Sequence, residues 1–173
     1  MAFDFLYRGT PGHPLHPPLT DAVIGAYTFA TVAGLMDVLG ITESAAANGW
    51  WLALIVGLVV SAGAALTGLV DWWGITRGTP LFRTATAHMI AMLTATVFFA
   101  LAAILGHARY DEGVVETVPL VLNLIGFGVL GLGGWLGGTL VFNYGMRVLN
   151  LVEEPASRAT SPIPDREEET AER

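Results

Sequence analysis

Residues 50–70 read WWLALIVGLVVSAGAALTGLV, without one charged side chain. As a helix, such a run reaches about 30 Å, the thickness of a bilayer's hydrocarbon core. Three further stretches, 19–39, 81–105 and 118–142, have similar length and apolar character. The connections 40–49, 71–80 and 106–117 are short and polar, so neighbouring spans must run antiparallel. The expectation is an all-α, integral membrane, four-helix up-down bundle. A Pro/His-rich lead-in (1–18) precedes the membrane domain (19–152), and an acidic tail (153–173) follows it.

Composition supports this. The chain is 53% hydrophobic and only 13% charged, with a net charge of −7. A soluble domain carries about a quarter charged residues, so a soluble enzyme is excluded. The tail is rich in Pro, Ser, Glu and Arg and lacks apolar periodicity, which predicts disorder. The absence of cysteine excludes disulfides and thiol chemistry. The acidic balance makes nucleic acid an unsuitable partner. The polar start offers no cleavable signal, so the first span is expected to act as an uncleaved anchor.

Four spans put both termini on one side. Seven of the eight arginines fall there, and only Arg109 falls on the other. The positive-inside rule therefore predicts an inner (plasma) membrane protein with both termini cytoplasmic. Trp50 and Trp51 are expected at the outer interface, and Trp72, Trp73 and Tyr144 at the inner one. Small residues four apart predict close helix packing: Ala22, Ala26, Ala30 and Gly34; Gly57, Ser61 and Ala65; Gly133/Gly137 and Gly134/Gly138. The glycines also allow a dimer face or a flat ligand against span four. Similar segments before spans one and three, and after spans two and four, suggest a parallel internal repeat.

Polar groups collect at the cytoplasmic end. His88 lies inside span three, where an ionisable group is costly and points to function. Pro17 and Pro18 predict an extended lead-in that places His16 at the same level. Thr20 or Asp21 is expected to cap the first helix. Asp71 closes span two, where a carboxylate opposes the helix dipole and needs a cation or imidazole partner: Arg77, Arg83, His16 or His88. The proposed site is His16, Asp71 and His88, with His13, Asp21, Arg77, Arg83, Asn143 and Arg147 around it. His107, at the far end, is expected to stay apart.

These motifs resemble a bacterial membrane family, domain of unknown function 2231. The resemblance rests on Gly12-His13-Pro14-Leu15-His16-Pro17-Pro18-Leu19-Thr20-Asp21, Thr67-Gly68-Leu69-Val70-Asp71-Trp72, His88 and Gly133-Gly134-Trp135-Leu136-Gly137-Gly138. It covers roughly residues 10 to 150 and implies four membrane helices with no established activity. Fusion of some relatives to Rieske-type or cytochrome domains implies membrane electron transfer. His16, Asp71 and His88 carry over, and His13 less firmly.

The leading functional expectation is a redox-associated protein without catalytic activity of its own. It would bind haem b or a quinone through His16 and His88, with Asp71, or assist a redox membrane complex. One alternative is a scaffold subunit whose polar cluster is purely structural. Another is a small permease or metal-binding protein with His16 and His88 as ligands. Lipid contact follows from the spans, and homo-oligomerisation is a further expectation.

Overall fold

The first helix begins earlier than its prolines suggest. In the computed structural model, which describes residues 9–10, 13–42, 44–149, 151–153 and 155–159, α1 spans His16–Val38. Pro17 and Pro18 are thus inside its first turn, correcting the extended reading of His16. Amide hydrogens of a first turn have no intrahelical acceptor, so proline loses nothing there. Leu15 is the cap residue and supplies no side-chain bond. Thr20 and Asp21 therefore do not cap: the Thr20 hydroxyl donates to the Pro17 carbonyl at 2.6 Å. Ahead of α1, β1 (Gly9–Thr10) and β2 (His13–Pro14) form a minimal antiparallel pair, with Gly9 opposite Pro14.

Three long helices follow: α2 (Ser44–Trp73), α3 (Pro80–Gly106) and α4 (Thr117–Gly138). The end of α3 tightens into a 3-10 turn, His107–Arg109, and α4 widens into a π turn, Thr139–Asn143. Thr79 caps α3, its hydroxyl accepting from the Phe82 amide at 3.1 Å, with Pro80 in the first helical position. All four helices are long and apolar enough to cross a membrane. A single turn, α5 (Ala156–Ala159), lies beyond them. Arg8, Gly12, Glu43 and the tail from residue 160 onward lie outside the described residues.

The bundle is two hairpins. Helix α1 packs along α2 and α3 along α4, and the hairpins meet less extensively through α2 with α3 and α1 with α4. Small residues set these approaches, but on faces rotated from the simple four-residue stripes. On α1 the buried stripe is Val23, Tyr27, Ala30 and Gly34, while Ala22 is exposed. On α2 it is Gly57, Ser61 and Ala64, with Ala65 exposed. Tyr27 causes the rotation. Its ring fills the space over Gly57, where a Cβ would come within 2.4 Å of it, and stacks on Phe99 with centroids 3.7 Å apart.

Trp50 is the second correction. It is 1% exposed, so it belongs to the core and not to an interfacial belt. Its indole donates to the Asn123 carbonyl oxygen at 3.2 Å, and the Asn123 amide donates to Thr31 Oγ1 at 2.8 Å. Thr31 donates to the Tyr27 carbonyl, and Tyr27 shares a hydrogen bond with Ser61. This ladder gives a buried amide the partners it needs in an apolar medium and ties α1, α2 and α4. Gly106 makes room for Trp50, since a Cβ there would sit 2.3 Å from the indole.

Two outcomes check this architecture. Gly106→Ala should lower thermal stability in detergent by about 1–3 kcal/mol through overpacking against an immobile ring, whereas Gly131→Ala, whose Cβ meets nothing within 4 Å, should not. Reporter fusions after residue 147 and within 108–116 should give opposite signals, the former cytoplasmic; a periplasmic signal after 147 would reverse the arginine-based orientation.

Candidate functional site

An imidazole at membrane depth must satisfy its ring N–H without water. Both candidate histidines do so in the same way. His16 Nδ1 lies 2.9 Å from the Ala64 carbonyl and 3.3 Å from Thr67 Oγ1. His88 Nδ1 lies 2.8 Å from the Gly133 carbonyl. A carbonyl only accepts, so Nδ1 carries the proton in each ring. The helix leaves that carbonyl a second lone pair after its own backbone bond. The Thr67 hydroxyl donates to the Gly63 and Ala64 carbonyls, so it too accepts from His16.

Glycine four residues further on completes each seat. A Cβ on Gly68 would lie 2.6 Å from His16 Cε1, and one on Gly137 would lie 3.1 Å from His88 Cε1. The first helix of each hairpin thus presents a histidine to a small residue and the glycine one turn later on the second helix. The register differs from that of the repeat expected from the sequence, which would pair His16 with Phe82 and Gly68 with Thr139. The shared geometry also gives Gly68 and Gly137 a specific role, seating an imidazole.

The two rings face one cavity of about 760 Å³ within the bundle. Their centroids are 6.3 Å apart and their planes lie at 87°. No hydrogen bond forms at either Nε2 among the described residues, and neither atom is sealed from the cavity. Each ring therefore keeps one free lone pair. Gly134, Gly137 and Gly138 form part of the wall, and nothing lies within 4 Å of a Cβ built on Gly134.

Asp71 lines the same cavity but is held by a cation, with no hydrogen bond to either histidine among the described residues. Arg147 donates to Asp71 Oδ1 through both Nε, at 3.2 Å, and Nη2. The Asp71 side chain is 8% exposed and the Arg147 side chain 39%. This corrects the choice of Arg77 or Arg83: both are exposed, and neither lines the cavity. The reason is conformational. Gly145 and Arg147 both adopt left-handed backbone, at φ 66° and 62°, and this turns the chain after α4 back over the end of α2.

The remaining candidates divide. Asp21 is exposed and sits on the cavity wall. His13, in β2, and Asn143, in the π turn, are exposed and do not line it. His107 stacks on Trp51 at 5.1 Å, away from the pair. Among the described residues no group of three or more His, Asp or Glu side chains could hold a metal ion. Asp37 was overlooked in the sequence. Its carboxylate accepts from the Val115 amide at 2.9 Å and fastens the 3-10 loop to α1. An acid inside an apolar run was the signal that could have found it.

Fold and site define a four-helix membrane protein with a histidine pair inside the bundle. The family model described as Predicted membrane protein (DUF2231) matches residues 12–150, and the chain belongs to that family. No curated protein and no solved structure matches it.

The ion pair has a direct check. A double-mutant cycle of Asp71→Asn and Arg147→Gln, read by thermal unfolding in detergent, should give a coupling of about 1 kcal/mol, the discount reflecting the solvated arginine. Arg77→Gln and Arg83→Gln should show no coupling to Asp71.

Proposed function

We propose that the cavity is a haem b site in which His16 and His88 would hold the cofactor, in a redox-associated protein of the inner membrane with both termini cytoplasmic. The observation that carries this reading is the histidine pair itself. Each Nδ1 proton is fixed on a backbone carbonyl, the outer-shell bond typical of metal-bound imidazole, and each Nε2 lone pair is free. With ring centroids 6.3 Å apart, both imidazoles would reach one group held between them.

Other features fit. Two imidazoles suffice for a bis-histidine haem, whereas a closed zinc site needs four ligands. The volume of about 760 Å³ lies within the range of cofactor pockets. Largely apolar walls and the glycine face of α4 suit a flat apolar ring. A quinone fits less well, because neither histidine has an N–H left to donate to a carbonyl. Haem would supply one-electron transfer. The protein's share is to fix the tautomers, exclude water and orient the ring, in service of a redox membrane complex.

A scaffold role is the second reading, and one observation favours it. His16 ties α1 to α2, and His88 ties α3 to α4, with no ligand needed.

The visible spectrum separates the two. Protein purified from a haem-supplied membrane, or titrated with haemin, should show a Soret band with a low-spin, six-coordinate signature. His16→Leu and His88→Leu should each remove that signature. A protein that stays colourless with haemin, and in which either substitution only lowers stability, contradicts the haem reading and supports the scaffold.

A further inference from the structure

We infer that Arg147 is the anchor for an acidic arm of the cavity's ligand, so that the site selects a carboxylate-bearing macrocycle over a neutral one. The inference rests on the haem reading and specifies the chemistry at the edge of that ligand.

The cavity changes character at one end. Beside it lies a smaller recess of about 240 Å³ lined by Asp71, Gly74, Ile75, Met146 and Arg147. Asp71, Ile75, Met146 and Arg147 line both spaces. The recess is too small for a macrocycle but large enough for a short acidic side arm and water. Among the described residues that line the larger cavity, Arg147 is the one arginine, and the chain has no lysine. A ring lying between His16 and His88 must put any ionised edge where charge is compensated or solvated. The recess offers the remaining Arg147 donors and contact with water, beside the Asp71 carboxylate.

Arg147 is held for such a task and is not saturated by its partner. Asp71 takes one Nε and one Nη2 hydrogen on a single oxygen. The planar guanidinium keeps three more donors in fixed directions. No other hydrogen bond or ion pair engages them among the described residues. Asp71 acts as the positioning residue that keeps the fork at the cavity mouth. The left-handed backbone at Arg147, φ 62°, disfavours a residue with a Cβ, and such outliers persist where the surroundings require them. That turn is what brings the guanidinium onto Asp71 at the cavity mouth.

The test uses the full-length protein in detergent, titrated with haemin and with haemin dimethyl ester, whose acidic arms are neutralised. Wild type should bind the free acid about tenfold more tightly than the ester, the scale of a charge-assisted pair, after normalisation to Asp71→Asn/Arg147→Gln, which leaves no orphaned carboxylate beside the ligand. That double variant should bind acid and ester equally, with the low-spin spectrum retained because neither histidine is touched. Arg83→Gln should keep the wild-type preference. Equal binding of acid and ester by wild type, with a low-spin spectrum from both, would overturn the role of Arg147 and leave the haem site standing. Absence of a low-spin spectrum with either compound would overturn the haem reading itself, and this inference with it. Should that double variant fail to accumulate, the acid-to-ester ratio of Arg147→Lys takes its place; a Lys variant that keeps the wild-type preference supports charge pairing, and one that binds acid and ester equally contradicts it.

Discussion

An imidazole N–H within a membrane protein has few acceptors to choose from, and here the acceptor is the second lone pair of a helix carbonyl. His16 uses Ala64 and His88 uses Gly133. Much else follows. A Cβ on the residue one turn later would crowd the ring, at 2.6 Å on Gly68 and 3.1 Å on Gly137, so glycine favours the approach at both positions. The ring must cross from one helix to the next, so it fixes the pairing of α1 with α2 and of α3 with α4. Once Nδ1 is committed, the remaining nitrogen is a lone pair with nowhere to go but the cavity. Structural satisfaction and ligand-binding capacity therefore come from the same bond.

The two ends of the bundle solve different problems. Away from the histidine pair, the Trp50–Asn123–Thr31 ladder and the Tyr27–Phe99 stack fill the core tightly. At the histidine end the helices leave about 760 Å³ open, and Gly134 faces space instead of a neighbour. Lipid-exposed helices gain little from hydrophobic association, because lipid tails are as apolar as leucine. Polar ladders and close backbone contacts must carry more of the cohesion. That division explains why one end can carry a cavity: the other end holds the hairpins together.

Much of the fold was legible because spans and loops are set by hydropathy alone. Four apolar runs with short polar breaks leave one simple topology, and the helices extend beyond those runs only at their ends. Features decided by a single side chain were less visible. Trp50 and Trp51 look alike at the end of span two, but only Trp50 finds Gly106 and Asn123 and turns inward. The rotation of the α1 stripe depends on Tyr27 entering the space over Gly57. Prolines at residues 17 and 18 looked like helix breakers until their place in the first turn was known. At the site, the nearness of His16 to His88 was legible from their shared level along the bundle, although the proline context used for His16 was misread. Arg147 as the partner of Asp71 was not, because left-handed backbone at a non-glycine residue has no signature in the sequence.

The central claim is that both histidines carry their proton on Nδ1, bonded to backbone, and offer Nε2 to the cavity. Nitrogen-15 NMR of histidine-labelled protein in micelles or bilayers measures this directly, with His16→Leu and His88→Leu spectra assigning the signals. The account predicts two neutral rings protonated at Nδ1, with an Nδ1–H hydrogen-bonded shift and an unprotonated Nε2. Rings protonated at Nε2 would contradict it, because the carbonyl bonds and the free lone pairs would then both be wrong.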